Sequence, residues 1–172
     1  TNTGQLVLTQ NQPLSLGNQA VQPGAASTMY SSPSSGVYIY ILDDALGQAP
    51  GRILPFTQGL SGVLQTLVGG PVPNFSTGAY PDAILTNSNG TFLYVANYGP
   101  SLITQPNSIF SAFTVNTTNG QLQTLSQGFY PVGGAGPIWM VEDPTNQYLY
   151  SVNYNSNNIP GTIIQATTGL RS

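Results

Sequence analysis

One phrase returns along this chain at a fixed interval, and it narrows the possible folds more than any other feature. Gly-x-Leu-x-x-Leu, or a close relative, occupies residues 4–9, 62–67 and 120–125. Its glycines, Gly4, Gly62 and Gly120, are 58 residues apart each time, and a cut-short copy, Thr168-Gly169-Leu170, follows 49 residues after Gly120. A second phrase keeps step: Tyr94-Val95-Ala96-Asn97 recurs 56 residues on as Tyr150-Ser151-Val152-Asn153, with a weaker copy, Tyr40-Ile41-Leu42-Asp43, 54 residues earlier. A third phrase precedes each of these: YPDAILTNSNG from Tyr80, GPIWMVEDPTN from Gly136 and, more weakly, GAASTMYSSPSSG from Gly24. Phrases recurring in one order at one period define three repeats, so residues 1–172 are read as a single array of about three units, the last copy truncated at Gly169.

Each repeat reads as strands. TFLYVANY is aromatic and β-branched, and SIFSAFTVN alternates Ile109, Ser111, Phe113 and Val115 against Phe110, Ala112 and Thr114. The segments are bounded by SNG, TNG and SSG, where Asn and Gly tolerate the positive φ of tight turns. No window carries helical periodicity, and 14 Pro with 20 Gly argue against long helices. About four short antiparallel strands per period is the signature of a propeller blade. The expected fold class is therefore all-β: three four-stranded blades, forming an incomplete ring or one completed by assembly.

Charge is the compositional anomaly. Only 4% of residues are Asp, Glu, Lys or Arg, where about 25% is ordinary. Asp43, Asp44, Asp82, Glu142 and Asp143 stand against Arg52 and Arg171, with no Lys and no His. Two cations are too few to displace counterions from a nucleic-acid backbone or to hold anionic lipid. No run approaches the ~18 apolar residues of a membrane span. With no Cys there is neither a disulfide framework nor a thiolate metal site. A surface so poor in charge lacks electrostatic repulsion and suits an assembly or a glycan coat. The expected partners are copies of the chain itself or the rest of a longer chain, together with glycans. The expected location is extracellular or at the cell surface. The start at Thr1 is read as a processed or partial chain.

At the Tyr-x-x-Asn phrases the sequence resembles a known group. Tyr94-Val95-Ala96-Asn97 and Tyr150-Ser151-Val152-Asn153 look like the signature of YVTN-type β-propellers. The wording around them, GGPVPNF from Gly69 and GPIWMVEDPTNQYLYSVNYN from Gly136, is similar to the lactonase-like (6-phosphogluconolactonase-like) propellers of bacteria. The resemblance implies a ring of about seven blades and a central funnel whose chemistry uses Glu, Arg and His. This chain has no His and one Glu, and Arg52 is its one Arg away from the extreme terminus. No catalytic residue carries over position by position.

The residues themselves name no catalytic, cofactor-binding or metal-binding set. Glu142-Asp143-Pro144 is the densest acidic spot; a carboxylate there could act as a general base or hold a divalent ion, but a strand end followed by an Asp-Pro turn is the simpler reading. Asp43-Asp44 replaces Asn97-Tyr98 and Asn153-Tyr154, which favours a structural Asx-type contact. Tyr94, Tyr98, Tyr150 and Tyr154 are read as inter-blade packing ahead of a sugar-stacking face, and Trp139, at the repeat position of Ala83, as an inter-blade filler. Sequons at Asn74, Asn89 and Asn116 are candidate glycosylation sites. The polar loop from Ala96 to Ser108 is either a binding loop or an idle insertion.

The repeat phase suggests that the last blade lacks its fourth strand while the N-terminus carries a spare one. Gln5, Leu6, Val7, Leu8 and Thr9 are therefore expected to complete a final blade, in the same molecule or by strand donation to a neighbour. The functional expectation is a secreted, non-enzymatic structural or surface protein, such as the subunit of an extracellular filament. The alternatives are a fragment of a lactonase-like hydrolase and a carbohydrate-binding propeller.

Overall fold

The computed structural model describes residues 28–32, 36–43, 51–58, 64–66, 75–99, 108–165 and 169–170. All regular structure among them is β, in three antiparallel sheets that follow the three repeats. The first sheet runs β1 (Thr28–Ser32), β2 (Gly36–Asp43), β3 (Arg52–Gln58) and β4 (Leu64–Thr66), with β5 (Phe75–Ser76) also on β3. The second runs β6 (Pro81–Thr86), β7 (Phe92–Asn97), β8 (Ile109–Val115) and β9 (Leu122–Pro131). The third runs β10 (Pro137–Glu142), β11 (Tyr148–Asn153), β12 (Gly161–Gln165) and β13 (Gly169–Leu170).

The outer edges show one design in two forms. In the second sheet Phe113 pairs with Thr124 and Ser111 with Phe129, so β9 bulges outward over Ala112. In the first sheet the same edge is split: β3 pairs with β4 through Phe56–Gln58 and with β5 through Arg52–Ile53. In the third sheet the fourth position is taken by β13, where Leu170 pairs with Ile164 and Gly169 with Gln165. The last blade was expected to lack this strand. Gln5 to Thr9, the candidate donor, lie outside the described residues.

Turn chemistry closes the first hairpins of the second and third blades the same way. Asn87 Oδ1 accepts the N–H groups of Thr91 and Phe92, both at 2.8 Å. Fifty-six positions on, Asp143 Oδ1 accepts those of Gln147 at 2.8 Å and Tyr148 at 2.6 Å. Gly90 and Asn146 supply the positive φ that each turn needs. Asp143 is thus a turn residue, as the Asp-Pro reading expected.

Side chains alternate across each strand, so every sheet has two faces, and the middle sheet packs on both of them. Tyr38, Tyr40, Leu42 and Ile53 of the first blade bury against Ile84, Leu93, Val95, Phe113, Val115 and Leu122 of the second. The opposite face of the second blade, including Ala83, Phe92, Tyr94, Ala96 and Phe110, buries against Met140, Leu149 and Ile164 of the third. The first strands β1, β6 and β10 also approach one another in turn. Sheets stacked face to face with neighbouring first strands are propeller blades fanned about an axis.

Polar ties accompany the apolar seams. Between the first two blades the Tyr38 hydroxyl donates to Thr118 O at 2.7 Å and the Tyr40 hydroxyl to Gly120 O at 2.8 Å. Gly120 has φ 72°, and its Cα lies so close to the Tyr38 ring that a Cβ there would meet Cδ1 at 2.4 Å. Gly169, with φ 86°, is hemmed in by a different group: a Cβ there would meet Leu125 Cδ1 at 2.4 Å, with the Phe92 ring at an ordinary 3.6 Å. Gly120, the phrase's glycine in the second blade, is therefore the residue that lets this blade's outer turn close on an aromatic ring of the first blade.

Candidate functional site

The first strands of the second and third blades begin with the same irregularity. Pro81 pairs with Asn97 and Ala83 with Ala96, leaving Asp82 as an extra residue; Pro137 pairs with Asn153 and Trp139 with Val152, leaving Ile138. These are β-bulges at the entry to the innermost strands, a place where bulges re-aim a side chain. The chain enters the second bulge through Gly136 at φ 70°, but it enters the first through Tyr80 at φ 49°. An aromatic residue in the left-handed region is strained, and such strain collects at functional sites. Tyr80-Pro81-Asp82 thus presents a half-buried carboxylate beside an exposed phenol at the inner rim of the middle blade.

The rim around it is held by repeat-related contacts. Tyr98 N–H donates to Tyr80 O, and Tyr154 N–H to Gly136 O. Ser108 Oγ donates to Tyr98 O at 2.9 Å and accepts Gly136 N–H at 2.9 Å, tying the second blade to the third. Tyr98 OH reaches Asn155 Oδ1 at 2.8 Å across the same seam. Behind the rim, Asn97 Nδ2 donates to Ile109 O and Ser111 Oγ, both at 3.0 Å, and Asn153 Nδ2 to Asn158 Oδ1 at 3.1 Å. A Cβ on Gly78 would strike Asn97, and one on Gly134 would strike Asn153.

The first blade fills the Asn position with charge. Asp43, fully buried, accepts Arg52 Nε–H at 2.7 Å, pairing the facing ends of β2 and β3. The contact is an ion pair across two strands, where an Asx-type contact was expected; Asp44 lies outside the described residues. Arg52 is the one cation among the described residues, and it is committed to this pair.

Glu142 occupies the far end of β10, where its Oε2 accepts the Ser88 N–H of the second blade at 2.6 Å. Burial, with Asp143 adding repulsion, raises its pKa against the lowering pull of the Ser88 bonds. Glu142 Oε1 and the Tyr94 hydroxyl are both buried without a hydrogen-bond partner, and burial and then the Glu142 charge push the Tyr94 phenol up. Glu142 is thus a tie between blades, while Asp143 is held at about 2 by the Thr145 hydroxyl first and by backbone N–H donors. Among the described residues no group of three His, Cys, Asp or Glu could hold a metal ion.

Of the acidic residues described, Asp82 is the one that the bulge at the start of β6 places at the inner rim. Sequence reasoning passed over it. The available signal was Tyr80-Pro81-Asp82 aligned with Gly136-Pro137-Ile138: a tyrosine replaces a glycine before the proline, and an acid replaces an apolar residue.

Fold and rim together define part of a β-propeller with a carboxylate at the entry to an innermost strand. Residues 59–171 match the family described as Lactonase, 7-bladed beta-propeller, and the chain belongs to that family. It is 30% identical over 140 residues to a protein of Formosa agariphila named 6-phosphogluconolactonase, covering 81% of this chain and 36% of that one. The chain therefore spans about a third of the length of this curated relative. A candidate 6-phosphogluconolactonase from Bacteroides fragilis has the same fold with TM-score 0.65 and 19% identity, covering 94% of this chain and 42% of that one. Another from Bacteroides uniformis gives TM-score 0.61 and 22% identity, covering 78% and 35%.

These relatives overturn the expectation of a non-enzymatic extracellular structural protein or filament subunit, because they are named as an enzyme. Low charge pointed to an assembly, but low charge describes a surface, and a rim of backbone groups, tyrosines and one acid needs little of it. The packing expectation divides: Tyr94 is fully buried, whereas Trp139 is 56% and Tyr154 71% exposed. Asn89 and Asn116 lie exposed in turns; Asn74 and most of the loop from Ala96 to Ser108 are outside the described residues.

Proposed function

We propose that these blades form part of a lactone hydrolase acting on a sugar lactone, with the phosphorylated gluconolactone of the relatives' name as first candidate. The observation that carries the reading is the family match, which runs through the second and third blades and takes in Tyr80-Pro81-Asp82. In such a reaction water attacks the lactone carbonyl, the ring C–O bond breaks, and a carboxylate and a proton are released. Asp82 is suited to accept the proton from the attacking water, a role worth about 10²–10⁴-fold in rate. Tyr80, two residues before it, offers an exposed phenol able to meet a sugar hydroxyl. Arg52 is engaged by Asp43, so recognition of a phosphate would draw on groups elsewhere in the ring.

The test is acid release by the full gene product from 6-phosphoglucono-δ-lactone and from unphosphorylated glucono-δ-lactone, each against spontaneous hydrolysis. Acceleration with either supports the reading, and the preferred substrate reports the phosphate requirement. No acceleration with both refutes it. Full activity in Asp82→Asn would remove Asp82 from the mechanism while leaving the activity.

A further inference from the structure

Among the described residues, three other than glycine adopt positive φ: Asn146 at 57°, Asn157 at 50° and Tyr80 at 49°. Asparagine tolerates the left-handed region through local hydrogen bonds of its short side chain, whereas a tyrosine there is strained by its Cβ. The copy of this position in the third blade is Gly136, at φ 70°, so the bulged entry to an innermost strand closes without any side chain. Tyr80 returns little to the fold in exchange. Its ring is 37% exposed and lies outside both buried clusters, and its hydroxyl makes no hydrogen bond among the described residues.

The strained conformation has no room to relax. On one side Ala79 O accepts the Gly99 N–H at 3.1 Å, and Tyr80 O itself accepts the Tyr98 N–H at 2.8 Å. On the other side the Pro81 ring fixes its own φ and packs on Gly51, where a Cβ would run into it. Strain of this kind persists where the surroundings over-determine it. Here they fix one partly exposed ring at the inner rim, two residues from the half-buried Asp82.

We infer that the Tyr80 ring is a rigid stacking platform for the six-membered ring of a sugar lactone, which it holds by its aromatic face rather than by its hydroxyl. That the ligand is a lactone rests on the hydrolase reading above; that it is held face-on rests on the platform itself. An aromatic face takes up the apolar carbon–hydrogen face of a sugar ring, and the ring's hydroxyl edge meets polar groups of the rim, Asp82 among them. The side chain is fixed before the ligand arrives, so binding loses little conformational entropy, and this is what the backbone strain secures. Recognition by stacking also needs no charge, in a chain that has two cations.

The test uses the full gene product and glucono-δ-lactam, which keeps the ring shape of the lactone and resists hydrolysis, with binding measured by calorimetry. Tyr80→Ala should weaken binding about tenfold, the contribution of about 50 Å² of apolar contact, and Tyr80→Phe should restore it. Tyr80→Gly also deletes the ring, so it should bind as weakly as Tyr80→Ala. It relieves the left-handed backbone, however, so its folding equilibrium constant in urea should exceed that of Tyr80→Ala about fivefold. A tyrosine with a structural role alone would tie binding to stability; here the more stable variant binds no better. Unchanged binding in Tyr80→Ala overturns the inference, as does a wild type that does not bind the lactam. Tyr80→Phe binding as weakly as Tyr80→Ala assigns the contact to the hydroxyl and overturns it too. Equal stability of Tyr80→Gly and Tyr80→Ala removes the strain, with the same consequence. Lactam binding that depends on Tyr80, without acceleration of lactone hydrolysis, keeps the platform and refutes the hydrolase; acceleration with binding independent of Tyr80 does the reverse.

Discussion

Replacing Gly120 with Ala tests the physical meaning of the repeated phrase. Gly120 has φ 72°, which costs a residue with a Cβ about 1–2 kcal/mol. The new Cβ would also lie 2.4, 2.7 and 2.8 Å from Cδ1, Cγ and Cε1 of Tyr38, whose ring is buried and tied by its hydroxyl to Thr118. Overpacking of that kind costs about 1–3 kcal/mol, so the total loss is about 2–5 kcal/mol. A double-mutant cycle in urea separates the two parts. In a Tyr38→Ala background the clash is gone and only the backbone cost remains, so Gly120→Ala should be milder there by about 1–3 kcal/mol. Equal costs in both backgrounds would refute the claim that the glycine exists to admit the aromatic ring.

Asp43→Ala should cost about 1.5–3 kcal/mol through the lost charged hydrogen bond, while Asp43→Asn, the residue of the other repeats, should recover part of it; urea midpoints decide this. Two neighbouring acids should give opposite pH dependences. Asp143, held at about 2, adds stability that is present above its ordinary value of 3.8 and is lost as pH falls toward 2, so Asp143→Asn should flatten the acid limb of a stability profile. Glu142, raised from 4.5, favours the folded state when protonated, and that contribution is lost as pH rises through its raised value; Glu142→Gln should therefore remove a decline on the rising side of the profile.

Much of the fold was legible because propeller blades repeat their local chemistry. The Tyr-x-x-Asn phrase marks the second strand, the Gly-x-Leu phrase opens the fourth, and SNG and TNG mark turns, each with a backbone reason to recur. Faces were harder to read. Tyr94 and Tyr150 hold the same repeat position, each after a leucine, and their burial differs because the third blade covers Tyr94 while Tyr150 stands partly exposed. The candidate site was harder still. Asp82 stands out through a bulge and a strained tyrosine, both of which arise from strand pairing rather than from composition. The low charge misled for a related reason: composition averages over a surface, and a rim of a few residues hardly alters that average.

The central claim, that the tyrosines of the first two blades are buried by the blade that follows, has a direct measurement in this chain. Tyr94→Ala and Tyr150→Ala change the same residue type at the same repeat position, where Tyr94 lies under the third blade and Tyr150 stands partly exposed. Tyr94 is fully buried, and its truncation should cost about 3–5 kcal/mol in urea unfolding. Tyr150, on the open face, should cost within about 1 kcal/mol. Equal costs would contradict the account.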